Sequence, residues 1–507
     1  MSRSRLAPSD VVYGLAAFAL TALVVLPWLS TELLPLMDYP MFLSFARAWL
    51  DMNDPASPFH GTYTLGWPLS PLVAPLAITA GIGSLTSLET GGRALWILYA
   101  VGLLAAGAWA LRALGQDRWK LVLFAPLVFG KWTASGFVGF VTGAPLVLLA
   151  GALGVLWLDH PTRRRGVALA AVSTLLALWH ALLIPEALLA LGVLWLCRQG
   201  MSWRARIRSL VPLLPAAALL AAWASQALGR PQAGARPIPT VWAPATEFLS
   251  LDLFFDKIFM VWPGSSAWAK ALALVLVLGA LLPRDAGEED LDERRWRLGN
   301  PFIAVALVTV ACWFALPANA FGVEIVQARF AWLTALWVPF AWRLPSRPVA
   351  RAAVVAAAFG VSVGYLTEVG QRFRAFHAET IGASRLVDSL PQGATLLAPL
   401  GHVQTRALAN NPIREIQQLA TIRKGGLPTT SFASYGVNVV RFVNGNPKPS
   451  IFAHDWQRHP RLGEFEHVLL RAPKLGDGHP ALRELRRDGD WVLYRVCARP
   501  ADPGCGP

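Results

Sequence analysis

Long apolar stretches, each close to the length that crosses a bilayer, recur along most of the chain. A transmembrane helix needs about 20 consecutive apolar residues to span the hydrocarbon core. The pattern therefore predicts a polytopic, mainly α-helical membrane protein with about 11 transmembrane helices. The predicted spans centre on 11–29, 93–111, 119–135, 137–158, 166–183, 184–197, 209–228, 267–283, 300–317, 326–342 and 349–366.

The first apolar stretch follows a short basic segment with Arg3 and Arg5, as in a signal peptide or in a first spanning helix. No small-x-small cleavage site follows it, because Pro27, Trp28 and Leu29 stand at its end. We therefore expect a retained helix with its N-terminus in the cytoplasm.

The segment 67–85 is apolar but is interrupted by three prolines and two glycines. If this segment crosses the membrane, every later loop changes sides. Basic residues favour the cytoplasmic side, so the charges of those loops can decide between the two topologies. If the segment does not cross, the five most basic loops all share the side of Arg3 and Arg5. We therefore predict a re-entrant or surface-lying helix on the outer face. The basic loops are Arg112/Arg118/Lys120, Arg163/Arg164/Arg165, Arg198/Arg204/Arg206/Arg208, Arg284/Arg294/Arg295/Arg297 and Arg343/Arg347/Arg351.

The composition agrees with the hydrophobic pattern. Of the 507 residues, 55% are hydrophobic and only 15% are charged, whereas soluble domains carry about a quarter charged residues. The net charge of +14 would suggest nucleic-acid binding in a soluble protein. Since the basic residues mark the predicted cytoplasmic loops, we expect membrane lipids as partners and no nucleic acid.

The last 140 residues or so lack a spanning stretch and emerge on the outer side in this topology. We therefore divide the chain into a transmembrane domain, 1–366, whose outer loop 30–92 carries interfacial helices, and a small extracytoplasmic α/β domain, 367–507. Turn residues and periodicity predict its elements. These are a helix at 378–390, strands at 394–397, 465–470 and 491–496, a helix at 480–487 and a turn at 488–490.

The four cysteines exclude a disulfide-dense scaffold. Cys197 and Cys312 lie in apolar stretches and are expected to be core thiols. Cys497 and Cys505 lie eight residues apart in a Pro/Gly-rich tail, so they either form a disulfide in the oxidising outer compartment or remain free.

Candidate chemistry begins in the first outer loop, with His60 and a short helix predicted at 40–52. Ser44, Arg47 and Asp51 recur there at helical spacing and give one narrow polar stripe, as expected of a helix lying in the membrane interface. Asp38 precedes this helix at the predicted membrane exit. Its carboxylate could cap the helix, or serve as a general base or metal ligand where a lipid head group would lie.

Three further outer positions carry polar groups near the membrane, where such groups are costly. Lys131 could contact a phosphate or simply reach the interface. His180 and Glu186 stand at a broken turn between two short spans, as a cavity lining or as a structural pair. Arg329 suits a phosphate, although an ion pair with Glu324 or Asp38 would also explain it.

The order of these parts resembles the class C glycosyltransferases, integral-membrane enzymes that take sugars from polyprenyl-phosphate donors. The likeness rests on Asp38-Tyr39-Pro40 after helix 1, the Pro-broken helix 67–85, tightly connected spans, and the run 136–143, Gly-Phe-Val-Gly-Phe-Val-Thr-Gly. It implies a GT-C-like fold and a bacterial inner-membrane location. It also implies that Asp38 deprotonates a lipid, glycan or protein acceptor, while Arg329 or Lys131 stabilises the departing lipid phosphate.

Two positions depart from the pattern of a bacterial branch of that group. Phe42 stands where His or Asn would be usual, and Gly139 stands where that branch has Asn. The turn with Lys131 also lacks the acidic pair that many class C enzymes carry, so a divalent metal is possible but its ligands are unknown.

Two other classes of protein remain open at this point, a lipid or polysaccharide transporter and a non-catalytic assembly protein. Most mid-span residues are apolar, with ionisable groups near the outer ends, which favours an outward-facing cavity over a path through the membrane. The sequence has no GxxxxGK[ST], HExxH, CxxC or GxSxG motif, so ATP hydrolysis, zinc proteolysis and serine-hydrolase chemistry have no support.

Overall fold

A computed structural model describes residues 7–497 of the chain apart from several loop segments. The undescribed segments are 229–239, 245, 247–249, 283–295, 297–299, 320–324, 400–404, 429–430, 432, 434–437, 445–447, 449–455, 459–460 and 472–478.

Helices dominate the described residues. In chain order they are α1 Pro8–Leu29, α2 Tyr39–Asp51, α3 Val73–Leu85, α4 Leu88–Ala113, α5 Lys131–Ala134, α6 Val138–Thr142, α7 Ala144–Asp159, α8 Arg163–Trp179, α9 Leu183–Cys197, α10 Trp203–Ser209, α11 Leu214–Leu228, α12 Leu251–Phe259, α13 Ser266–Leu281, α14 Pro301–Ala315, α15 Val326–Ala341, α16 Pro348–Asp388 and α17 Gln418–Lys424. Five helical stretches are long and apolar enough to cross a membrane, and shorter apolar helices lie between them. The protein is a polytopic, mainly α-helical membrane protein.

Ion pairs gather several predicted cytoplasmic loops at one end of the helix bundle. The guanidinium of Arg118 lies 2.6 Å from the carboxylate of Asp10, in the first turn of α1. Arg351, in the first turn of α16, pairs with Asp117. The loops after α4 and before α16 therefore lie beside the start of α1. We call this the basic end.

Backbone carbonyls join further loops to the same end. The side chains of Gln116 and Asn300 both donate to the carbonyl of Phe340, at 3.2 and 2.7 Å. Arg198 forms a backbone bridge with Trp296, just before α14. The loops around 112–120, 198 and 343–351 thus lie at one end of the bundle, as the charge pattern predicted, whereas Arg284, Arg294, Arg295 and Arg297 lie outside the described residues.

The helix α3 lies within the disputed segment 67–85, and both of its ends stay at the opposite end of the bundle, where Asp38 lies. Just before α3, the N–H of Leu72 donates to the carbonyl of Trp179, at 3.1 Å. Just after α3, Arg93 in the first turns of α4 donates to the carbonyl of Glu32, at 2.8 Å. A helix of 13 residues is about 20 Å long, shorter than the hydrocarbon core of about 30 Å, which agrees with the prediction that this segment does not cross.

The prediction of a continuous helix at 119–135 is wrong. The segment contains two short 3₁₀ helices, Arg118–Leu123 and Pro126–Val128, followed by the four-residue α5. Pro126 has no N–H to donate and its ring clashes with the preceding turn. Since nearly every residue here is buried, the irregular backbone is shielded from lipid by protein.

The prediction for α2 was right about the helix and wrong about its surroundings. Most of α2 is buried, including Ser44 of the expected polar stripe, because α2 packs against α3, α4 and α17. Arg47 and Asp51 pair with each other at 2.6 Å along the helix. The apolar face of α2 therefore contacts protein, so it is not the interfacial helix that its amphipathic pattern predicts.

The helix α16 continues through residue 366 to Asp388. It then leads into a four-stranded sheet in the order β2-β4-β6-β5, and β5 and β6 pack on its end. The strands are β2 Leu396–Leu397, β4 His467–Arg471, β5 Leu482–Asp488 and β6 Trp491–Val496. Separately, β1 Tyr63–Leu65, between α2 and α3, pairs antiparallel with β3 Val440–Phe442.

The predicted helix at 480–487 is wrong, since these residues form β5. Its composition favours a helix, but the turn at Gly489, with φ of +58°, folds it back onto β6 in an antiparallel hairpin. Tertiary pairing has overridden local propensity. The strand predicted at 491–496 is present with the same bounds, and those predicted at 394–397 and 465–470 are present with shorter or shifted bounds. Cys497 is disulfide-bonded, and Cys505 lies outside the described residues.

Candidate functional site

Asp38 occupies the N-cap position of α2, and Pro40 lies in the first turn as predicted. The side chain of Asp38 nevertheless makes no capping hydrogen bond. The capping role that the sequence left open is therefore wrong, and the carboxylate does not serve the helix that follows it.

The backbone of Asp38 is fixed against the turn after α5. The N–H groups of Met37 and Asp38 donate to the carbonyls of Ala134 and Ser135, both at 3.0 Å. Gly136 follows with φ of +74°, and a Cβ atom there would lie only 2.8 Å from the nitrogen of Asp38. Two segments about 100 residues apart thus hold each other by backbone contact that only glycine permits.

Arg329, in the first turn of α15, is only 6% exposed and interacts electrostatically with the carboxylate of Asp38. The guanidinium carbon lies 4.7 Å from the ring centre of Phe137 and 5.2 Å from that of Phe140, within the range of cation–π attraction. The Gly-Phe run thus supports Arg329 through its two phenyl rings, a role that the sequence analysis missed.

His180 also lies beside Phe140, with its ring centre 5.7 Å from that of Phe140 in an edge-on arrangement. It follows α8 in extended conformation. A Cβ on Gly139 would meet the carbonyl oxygen of Trp179 at 2.9 Å and Cδ2 of His180 at 3.2 Å. The departure from the family pattern at Gly139 is therefore explained by close packing of α6 on this turn.

Lys131 lies on the same segment as Gly136, and its Nζ is 6.0 Å from the ring centre of Trp132. Asn410, from the C-terminal region, donates to Ser135 Oγ at 3.1 Å and lies 3.5 Å from the carbonyl of Lys131. The C-terminal region thus contributes directly to the surroundings of Asp38. No local signal in the sequence marks Asn410.

The other predicted site residues lie elsewhere. His60 is exposed, and its Nδ1 is 3.1 Å from the carbonyl of Met52. Glu324 lies outside the described residues. Glu186 is buried and accepts a hydrogen bond from the indole N–H of Trp337 at 3.0 Å, as expected of a structural partner. Within the described residues, no three His, Cys, Asp or Glu side chains gather as metal ligands would.

An ionic cluster around Arg423 of α17 attaches the C-terminal region to the transmembrane helices. Arg423 contacts Glu89 of α4 at 2.5 Å, and Glu32 and Asp388 at 3.1 Å. Burial lowers the pKa of Arg423, but the neighbouring carboxylates outweigh this effect and raise the pKa overall. Burial raises the pKa of Glu32, while the hydroxyl of Ser384 and the charge of Arg423 lower the pKa more strongly.

Deeper in the bundle, an apolar cavity of about 130 Å³ is lined by α12, α13, α15 and the irregular segment 119–135. Its lining includes Phe254, Phe259 and Leu127, and Thr334 and Val338 of α15. The helix that carries Arg329 therefore also forms one wall of an apolar cavity.

The chain has the GT-C fold of polytopic membrane proteins, which confirms the predicted fold. Solved structures that it resembles include those of integral-membrane glycosyltransferases. ArnT from Cupriavidus metallidurans in the apo state is 14% identical, with a TM-score of 0.54 over 96% of this chain and 98% of that chain.

The same protein bound to undecaprenyl phosphate is also 14% identical, with a TM-score of 0.52 over 98% of this chain and 99% of that one. Arabinofuranosyltransferase AftD from Mycobacteria is 15% identical, with a TM-score of 0.45 over 98% of this chain and 40% of that one. No family model and no curated protein matches the chain.

Proposed function

We propose that the protein is a glycosyltransferase that moves a sugar from a polyprenyl-phosphate donor to an acceptor at the Asp38 end of the bundle. The observation that carries the proposal is that the buried Arg329 interacts electrostatically with Asp38, whose side chain does not cap α2. We infer that a base and an anion-binding group share this end of the bundle. ArnT, which has this fold, has been solved bound to undecaprenyl phosphate.

In the proposed reaction Asp38 takes the proton from an acceptor hydroxyl. The acceptor oxygen forms a bond to C1 of the sugar, and the bond between C1 and the lipid phosphate oxygen breaks. The phosphate leaves with the electron pair, and Arg329 stabilises its negative charge. The products are the glycosylated acceptor and polyprenyl phosphate, with the proton on Asp38 before it passes to solvent.

Arg329 is suited to this task because its guanidinium is held close to the rings of Phe137 and Phe140, and a planar guanidinium can present its N–H edge to two phosphate oxygens. Lys131 would add a second positive charge from the turn that holds Asp38. The apolar cavity along α15 would take part of the hydrocarbon chain of the donor.

The charge pattern supports an orientation for this chemistry. Since basic loops favour the cytoplasm, we infer that the basic end faces the cytoplasm of a bacterial inner membrane. The Asp38 end and the C-terminal domain would then be extracytoplasmic, so the acceptor is a lipid, glycan or protein of the cell envelope.

Mass spectrometry of cell-envelope glycans tests the proposal. A deletion strain should lack one sugar on one envelope component, and the wild-type gene should restore it while Asp38→Asn should not. An unchanged glycan profile in the deletion strain would contradict the proposed function.

A further inference from the structure

The local geometry of His180 fixes which ring nitrogen carries the proton. The backbone N–H of Leu182 donates to Nδ1 of His180 at 3.1 Å. A nitrogen that accepts a hydrogen bond uses its lone pair, so the proton of the neutral imidazole is on Nε2. The ring therefore presents an N–H donor on its Cδ2–Nε2 edge, and no described residue hydrogen-bonds to Nε2.

That edge lies against α6. The Cδ2 atom of His180, which is bonded to Nε2, lies 3.2 Å from the place where a Cβ of Gly139 would be. The ring of Phe140, the next residue, lies close to both the His180 ring and the Arg329 guanidinium, and the charge of Arg329 acts on His180. Two groups that carry N–H donors thus lie against one phenyl ring.

We propose that His180 is a neutral donor of fixed tautomer that binds the lipid phosphate together with Arg329. This inference rests on the proposed function and names a further substrate-binding residue for it. The N–H groups of His180 and Arg329 can only donate, which selects an anion, and a location at the end of a membrane bundle selects a lipid headgroup. The hydrogen bond from Nε2 strengthens as negative charge develops on the leaving phosphate.

Two substitutions separate this role from a purely structural one. His180→Asn keeps the local turn, because an Asn side-chain oxygen accepts from the N–H two residues later, but it lacks a donor at the position of Nε2. His180→Gln gives up that turn contact but places an amide N–H close to the position of Nε2. A structural role predicts that Asn is tolerated better than Gln, and the proposed role predicts the reverse.

The experiment measures binding of undecaprenyl phosphate to the purified full-length protein and to both variants, with thermal unfolding as a check on folding. We expect His180→Asn to weaken binding by about tenfold or more, since a hydrogen bond to a charged group is lost. His180→Gln should stay within about threefold. Binding of undecaprenol, which has no phosphate, should be the same in all three proteins.

Each outcome decides the matter. Equal binding of undecaprenyl phosphate by the wild type and His180→Asn would overturn the role of His180 and leave the proposed function standing. Failure of the wild type to bind this lipid would contradict the proposed function, and the inference with it. Inorganic phosphate that binds as tightly as the lipid would overturn the assignment to a lipid headgroup.

Discussion

Gly136 gives the sharpest prediction, because the backbone of Asp38 lies directly against it. In Gly136→Ala the new Cβ would meet the nitrogen atoms of Tyr39 and Asp38 at 2.7 and 2.8 Å, where ordinary contact begins at 3.4 Å. The backbone of Asp38 must therefore retreat by about 0.6 Å. The left-handed conformation of alanine should also lower the free energy of unfolding by about 1–2 kcal/mol, and overpacking should lower it further, by about 1–3 kcal/mol.

Gly115→Ala is the matched control. Gly115 has φ of +67°, close to the +74° of Gly136, and no atom lies within 4 Å of its would-be Cβ. The free energy of unfolding of Gly115→Ala should fall only by the conformational cost of about 1–2 kcal/mol. Any larger loss of stability in Gly136→Ala therefore comes from the contact with the backbone of Asp38.

The assay is sugar transfer, measured at a temperature well below the unfolding transition of both variants. A shift of about 1 Å in a reacting group costs about a hundredfold in rate, so Gly136→Ala should lose about tenfold or more relative to Gly115→Ala. Equal transfer rates in the two variants would refute the claim that the Gly136 turn positions Asp38.

Three other predictions follow from the same contacts. Arg423→Gln should lower the free energy of unfolding by about 1–3 kcal/mol. The control Lys270→Gln breaks an exposed ion pair with Asp252 and should lower it by less than about 1 kcal/mol. Equal losses would contradict the role of Arg423 in attaching the C-terminal region to the transmembrane helices. The pKa of Glu32 is lowered from 4.5, so the stability that its carboxylate contributes is present above pH 4.5 and is lost as the pH falls further. The difference in melting temperature between wild type and Arg423→Gln should therefore shrink below about pH 4.5. A difference that does not change with pH would contradict this role of Glu32. Glu186→Gln should unfold at nearly the wild-type temperature because it still accepts from Trp337, while Glu186→Leu leaves that N–H unpaired at a cost of about 1–3 kcal/mol; similar melting temperatures would show that the bond is unimportant.

Much of the architecture was predictable because a bilayer imposes simple rules on a sequence. Span length and loop charge were enough to predict a separate helix within 67–85 and to group those basic loops that the structure describes at one end. The same rules failed at 119–135, where Pro126 breaks the helix and burial in protein satisfies the irregular backbone.

The candidate site was predictable only in parts. Asp38, Lys131, His180 and Arg329 stood out because polar groups are costly near a membrane. Their mutual arrangement depends on contacts between segments far apart in sequence, and no local pattern encodes such contacts. The phenyl rings that support Arg329 looked like ordinary apolar residues, and β5 formed because β6 offered it a partner.

The central claim is that Asp38 is the base of a sugar transfer, and one comparison tests it most directly. Purified Asp38→Asn and Asp51→Asn are assayed for transfer from lipid-linked sugars extracted from the envelope of the source cells, with melting temperatures measured in parallel. Asp51 belongs to the same outer segment but pairs with Arg47, so Asp51→Asn should keep most of the activity. We expect Asp38→Asn to fold normally and to lose about 10²–10⁴-fold in rate. Transfer by Asp38→Asn within about threefold of the wild type would contradict the account.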